Sequence, residues 1–216
     1  MWQLNLKRLE TFAPAGFGNI AIETGTCRGN GTKLLAKFFP RVISIELSEE
    51  LFRTAKARFE LEGLANIELL QGDSVNLLPS ILESLPPEAK LFFFLDAHWS
   101  GDSTVSWKES AWAGYGIDTA HLGKAGDLPS SEQQCPLDRE LEAIVSLWRG
   151  SALLLIDDTK NLPPHGNGKQ NVAFQGEDWS HLSRERLREI LSKRDTRITE
   201  LLEPDQWFVE MAPLKR

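Results

Sequence analysis

Residues 18–46, GNIAIETGTCRGNGTKLLAKFFPRVISIE, decide the fold. Asn19-Ile20-Ala21-Ile22 is a short apolar strand, and Gly25, Gly29 and Gly31 open the chain after it. Thr32 to Phe39 then carries helical spacing before Val42-Ile43-Ser44-Ile45 resumes the β pattern. This is a βαβ nucleotide cradle. Glycines in its first turn let the backbone approach a ligand without interference from Cβ, and the helix that follows points its free N–H groups at the same place. Glu46, at the tip of the second strand, is placed to take the two hydroxyls of a ribose. The dinucleotide fingerprint G-x-G-x-x-G is absent, since the glycines fall at Gly25, Gly29 and Gly31. Spacing alone leaves a plain βα turn with a glycine cap open.

Outward from the cradle, the alternation of strand and helix continues. Ser48-Glu49-Glu50-Leu51 starts a helix with a serine cap and acids in its first turn, carried by Leu51, Phe52, Ala55 and Phe59 to about Glu62 and stopped by Gly63. Ile67 to Leu70 is a third strand, Gln71-Gly72-Asp73-Ser74 a turn, and a helix from Ser74 to about Leu85 is closed by Pro86-Pro87. Leu91-Phe92-Phe93-Phe94-Leu95 is continuously apolar, as a strand buried on both faces of a parallel sheet must be. The stretch from Ala97 to Cys135 is too long for an ordinary connection, and its Trp107, Trp112 and Tyr115 suit a lid with apolar walls, joined by Trp99. A helix from Pro136 to Trp148 leads to a second buried strand, Ala152 to Ile156. Irregular chain from Lys160 to Trp179, a helix from about Ser183 to Lys193, and two strands, Ile198 to Leu202 and Trp207 to Met211, finish the sequence. The N-terminus, MWQLNLKRLETF, reads as an amphipathic helix or strap.

Composition narrows the class. The length of 216 residues, a hydrophobic fraction of 41% and a charged fraction of 25% fit one soluble α/β domain spanning 1–216 with a lid-like insertion at about 97–135. No 20-residue apolar run or signal peptide is present, so no membrane partner is expected. Cys27 and Cys135 are too few for a disulfide framework, which makes a reducing cytoplasm the default location. The net charge of −7 opposes a polyanionic partner, so no nucleic acid is expected.

Asp96 and Asp157 close the two most apolar strands, and Asp158 follows directly. If those strands are neighbours, their ends lie about 5 Å apart at the carboxyl edge, where open α/β sheets bind ligands. Neither AHWSGD after Asp96 nor DTKNLPP after Asp157 begins a helix, which weakens a capping role for either residue. Three adjacent acids repel one another unless a cation neutralises them, and an oxygen-only set suits Mg²⁺ or Mn²⁺.

Glu23-Thr24-Gly25-Thr26-Cys27-Arg28-Gly29 resembles motif I of the class I S-adenosylmethionine-dependent methyltransferases, E/D-x-G-x-G-x-G, with Cys27 where the middle glycine is commonest. Catechol O-methyltransferase and its relatives carry a similar turn with a larger middle residue. The metal-dependent O-methyltransferases that act on sugars and natural products hold Mg²⁺ with an Asp ending strand four and an Asp-Asn or Asp-Asp pair ending strand five, the places of Asp96, Asp157 and Asp158 here. The resemblance covers residues 18 to 160 as ordered motifs and the rest as topology. It implies an α/β, Rossmann-like methyltransferase fold with a seven-stranded, mostly parallel sheet in the order 3-2-1-4-5-7-6 and helices on both faces. It also implies donor contacts from Glu23, Gly25, Thr26, Gly29, Glu46, Asp73, Ser74 and Asp96, with Asp73 and Ser74 reading the adenine, although those two serve equally well as a plain helix cap. The catechol enzymes carry a lysine base three residues after the first metal Asp, where Trp99 stands here. The catalytic candidates are therefore His98 first, Lys160 second, and Asp96; a structural role for His98 is as good a reading. The expected activity is methyl transfer from S-adenosylmethionine to a hydroxyl of a sugar, phenol or natural product, assisted by Mg²⁺ or Mn²⁺. The partners are then a small-molecule acceptor and, as an option, a second copy of the chain. The alternatives are a nucleotide-binding oxidoreductase or a non-catalytic S-adenosylmethionine-binding module.

Overall fold

The computed structural model describes residues 4, 6–13, 17–98, 134–162, 179–201 and 206–214. After helix α1 (Leu6–Phe12) the chain alternates β1 (Ile20–Thr24), α2 (Asn30–Phe38), β2 (Arg41–Glu46), α3 (Glu49–Leu61), β3 (Ile67–Gln71), α4 (Ser74–Ser84) and β4 (Leu91–Leu95). It resumes with α5 (Leu137–Leu147), β5 (Ala152–Ile156), a 3-10 turn (Thr159–Asn161), α6 (Arg184–Ser192), β6 (Thr196–Leu201) and β7 (Gln206–Met211). The seven strands form one sheet in the order β3-β2-β1-β4-β5-β7-β6, with β7 antiparallel to both neighbours and every other pairing parallel. That is the order expected from the methyltransferase resemblance.

Side-chain alternation along the strands builds two cores. Ile20, Ile22, Phe93, Leu95, Leu154 and Ile156 pack with Leu78 and Leu82 of α4, Leu141 and Ile144 of α5 and Leu187 and Leu191 of α6. Ala21, Phe92, Phe94, Leu153 and Leu155 face the other way, against Leu9 of α1 and Leu35 of α2. Every residue of β4 is buried, which is why its sequence shows no polar alternation.

β1 runs two residues past its apolar segment, because Glu23 and Thr24 continue the register opposite Ser44 and Ile45. The polar side chain of Glu23 is tolerated there because its Oε2 accepts hydrogen bonds from the Ser44 hydroxyl, at 2.6 Å, and the Thr32 hydroxyl. β6 likewise begins two residues early, since Thr196 and Arg197 still pair with Met211 and Glu210. The proposed lid side chains Trp99, Trp107, Trp112 and Tyr115 lie outside the described residues, as does most of the chain between Asn161 and Trp179. Among the described residues no helix is long and apolar enough to cross a membrane.

Candidate active site

The parallel strands β1, β2 and β4 end together, so three loops meet at one edge of the sheet. In the turn after β1, the Gly25 and Thr26 N–H groups both donate to the Ile45 carbonyl, at 3.0 and 3.2 Å. Gly25 has φ of 85°, and a Cβ there would stand 2.7 Å from the Asp96 carbonyl oxygen. Gly29 has φ of 75° and its position is pressed against the Phe59 ring of α3. Only glycine meets both demands. Gly29→Ala should therefore lower stability by about 2–4 kcal/mol through backbone strain and overpacking. Urea unfolding checks this, and a loss below about 0.5 kcal/mol would contradict the geometry.

Glu46 ends β2 beside this turn. Its Oε2 accepts the Cys27 N–H at 2.7 Å and its Oε1 accepts the Ser48 N–H at 2.9 Å. Cys27 holds the left-handed conformation, φ 49°, that aims its N–H at that carboxylate. Each carboxylate oxygen retains a further lone pair, so Glu46 can still receive two hydroxyl donors. Burial raises its pKa.

Two of the expected donor-contact residues use their side chains on the protein itself. Glu23 is buried behind the turn on Thr32 and Ser44, and the Thr26 hydroxyl lies 2.5 Å from that of Ser44. They tie the turn to β2 and α2. Asp73 caps α4 by accepting the Val75 N–H at 2.9 Å, which bears out a capping role without excluding a second one. Ser74 donates its hydroxyl proton to Glu140, a residue of α5 that is 0% exposed and also accepts from the Thr24 hydroxyl at 3.2 Å. The sequence did carry a signal for Glu140. It stands three residues after Leu137 and four before Ile144, on the apolar face of its helix.

Burial pushes Glu23 and Glu140 from the ordinary 4.5 up to about 7, and the hydroxyl bonds offset only part of that cost. The unfolded chain ionises both near 4.5, whereas the folded one holds their protons until about pH 7. The folded state is thus favoured below 4.5, and that advantage is lost as pH rises through 7. Each group should account for about 3 kcal/mol across that window. Urea unfolding at pH 5 and pH 8 measures it together with the raised Glu46 and Asp96; Glu23→Gln, which cannot ionise, should remove only the Glu23 share and leave a shallower slope. A flat profile in the parent protein would contradict the assignment.

At the ends of β4 and β5 the aspartates meet. Asp157 donates its backbone N–H to the Leu95 carbonyl at 3.0 Å, so the two strand ends are adjacent as expected. The groups that converge, however, are Asp96, His98 and Asp158, whose ligand atoms all lie within 4.8 Å of one another. His98 Nε2 is 3.4 Å from Asp158 Oδ2 and 4.0 Å from Asp96 Oδ1. Asp157 lines the same cavity and its charge acts on Asp96, but it is not in that set, its Oδ1 accepting the Asp158 N–H at 2.9 Å. The reason is local. Asp158 takes the left-handed conformation, φ 54°, at the start of a short 3-10 turn that the sequence reading did not anticipate, and its side chain makes no capping bond. It is turned toward His98 instead.

Burial first, and the Asp157 charge second, hold the Asp96 carboxyl well above the usual carboxylate range. Lys160 is exposed on the 3-10 turn and is not among the residues lining the cavity. That cavity is walled by Leu95, Asp96, Ala97, His98, Cys135, Leu137, Asp157, Asp158 and Trp179. Trp179, 2% exposed, meets His98 edge-on at 5.4 Å, and its indole N–H has no hydrogen-bond partner among the described residues. Neither periodicity nor motif marked Trp179, which sits at the end of irregular chain.

No protein-family model matches the sequence. A probable ribosomal RNA small subunit methyltransferase A from Methanosarcina barkeri is 35% identical over 85 residues, 38% of this chain and 29% of that protein. The chain thus spans less than a third of the curated relative it matches. Among solved structures, the O-methyltransferase TomG from Streptomyces achromogenes, in complex with SAM, superposes with a TM-score of 0.56 at 17% identity, over 96% of this chain and 79% of that one. The 23S rRNA methyltransferase ErmE superposes with a TM-score of 0.50 at 13% identity, over 100% of this chain and 71% of that one. The fold is that of the class I methyltransferases. The expectation of no nucleic-acid partner does not stand, because two of these matches are named for ribosomal RNA. A net charge sums the whole surface, whereas binding a nucleic acid depends on the local field at one patch.

Proposed function

We propose that this chain transfers the methyl group of S-adenosylmethionine to an acceptor oxygen held beside Asp96, His98 and Asp158. The observation that carries the reading is the convergence of those three side chains one strand away from the Gly25 turn and Glu46. The cradle fits the donor, since the glycine turn leaves no room for Cβ atoms and Glu46 keeps lone pairs for ribose hydroxyls. Separations of 3.4 and 4.0 Å across His98, with two carboxylates and one imidazole, also fit a small divalent cation. Such a cation, Mn²⁺ before Mg²⁺ because one ligand is an imidazole, would supply a lowered hydroxyl pKa and an oriented nucleophile. The protein's own contribution is position: the strand ends fix the carboxylates, and Trp179 limits the swing of His98. If no cation takes part, His98 is the base, oriented by Asp158.

The match to a ribosomal RNA methyltransferase favours a second acceptor class. One experiment addresses both points. Labelled methyl transfer is measured onto sugar and catechol acceptors and onto ribosomal RNA, each with EDTA and then with Mg²⁺ or Mn²⁺ restored. The reading predicts transfer to a hydroxyl acceptor that EDTA abolishes and metal restores. Transfer to RNA alone would overturn the small-molecule acceptor, and full activity in EDTA would overturn the cation.

A further inference from the structure

We propose that Glu140 sets the base preference of the donor site by holding the Ser74 hydroxyl as a hydrogen-bond acceptor, an inference that rests on the S-adenosylmethionine reading above. Glu140 reaches from α5 across to two other elements, accepting from Thr24 at the end of β1 and from Ser74 at the start of α4. Helices α4 and α5 share one core through Leu78, Leu82, Leu141 and Ile144, so the carboxylate is fixed in place rather than free to swing.

The position of Ser74 explains why this matters for the donor. The Gly72 N–H donates to the backbone carbonyl of Glu46 at 2.9 Å, which sets the turn 72–74 against the residue that would hold the ribose. β3 is the strand beside β2, so a base attached to that ribose comes next to the loop after β3. There the side chains of Asp73 and Ser74 offer acceptors. The Asp73 carboxylate accepts, as it does from the Val75 N–H, and the proton of Ser74 is committed to Glu140. Adenine presents an exocyclic amine, a donor, to such a pair. Hypoxanthine presents a carbonyl in the same place, lone pair against lone pair. A hydroxyl could ordinarily rotate to serve either base; a carboxylate behind it removes that choice.

The test compares equilibrium affinities for S-adenosylhomocysteine and its deaminated analogue, S-inosylhomocysteine, in the full chain and in Glu140→Gln and Ser74→Ala. Burial holds Glu140 at about 7, so the titrations are run at pH 8.5, where it is ionised. The parent protein should favour the adenine compound by roughly 100-fold. Glu140→Gln has one acceptor oxygen for two hydroxyls, Thr24 and Ser74, so the Ser74 proton is no longer held without competition and the ratio should fall, by up to about tenfold where the amide N–H faces Ser74. Ser74→Ala should do the same, and the double substitution should add little further, because both act on one hydrogen bond. Should Glu140→Gln fail to fold, Ser74→Ala carries the test. A merely structural role for Glu140 would weaken both ligands equally and leave the ratio unchanged, which would overturn the inference. Failure of the parent protein to bind either compound would overturn it too, but by removing the donor reading on which it rests.

Discussion

Replacing Glu46 by Ala should weaken S-adenosylhomocysteine binding by about 2–4 kcal/mol, on the order of 30- to 1,000-fold, by removing two charge-assisted contacts to the ribose hydroxyls. The expected effect is large because the proposed ribose acceptor also binds the protein's own backbone. Its two oxygens already accept the Cys27 and Ser48 N–H groups, so the carboxylate also holds the glycine turn against the end of β2. Without it, two backbone donors lose their partner, and stability should fall by about 1–3 kcal/mol alongside affinity. Glu46→Gln separates the two roles. It keeps one acceptor oxygen but sets an amide N–H against a backbone N–H, so it should lose affinity while retaining a cooperative unfolding transition. Calorimetric titration with thermal unfolding of the same samples reads both. An unchanged affinity in Glu46→Ala would remove the ribose assignment.

Replacing Asp158 by Asn should lower methyl transfer by about 10²- to 10⁴-fold while donor binding stays within about threefold. Asparagine keeps the shape of the side chain and tolerates the left-handed backbone at this position, φ 54°, so the fold should survive. What is lost is the negative charge 3.4 Å from His98. Titration of Mn²⁺ alone, followed by electron paramagnetic resonance, gives a readout independent of turnover: the parent protein should bind the ion and Asp158→Asn should bind it far more weakly. Asp157→Asn should affect Mn²⁺ less, since Asp157 spends one oxygen on the Asp158 N–H and lies outside the converging set. Equal losses at both positions would restore an all-aspartate site.

The contrast between those two aspartates shows what the sequence could convey. Leu91–Leu95 and Ala152–Ile156 were legible to the residue, because continuous apolar runs between polar ends have one reading in a parallel sheet. The strand order was legible only through the resemblance to the class I methyltransferases, and the sheet has it. The three acids were legible as residues at one sheet edge. Which of them converge was not, because a positive φ at Asp158 redirects its side chain and no local pattern announces it. Glu140 was legible only as an acid on an apolar helix face; what it binds was not, because its partners Thr24 and Ser74 lie 116 and 66 residues away in sequence. Glu23 was expected among the donor contacts from its place in motif I; its burial and its bonds to the Ser44 and Thr32 hydroxyls were not legible, because Ser44 lies on the neighbouring strand. Regular structure follows from local periodicity, whereas polar side chains are oriented by whichever partner the fold brings within reach.

The central claim is that the Gly25 turn and Glu46 hold S-adenosylmethionine rather than another nucleotide, and calorimetric titration of the full chain with S-adenosylhomocysteine, beside NADH, tests it most directly. The account predicts saturable one-to-one binding of S-adenosylhomocysteine in the micromolar range, near −8 kcal/mol, with no heat from NADH. Binding of NADH with none of S-adenosylhomocysteine would contradict it.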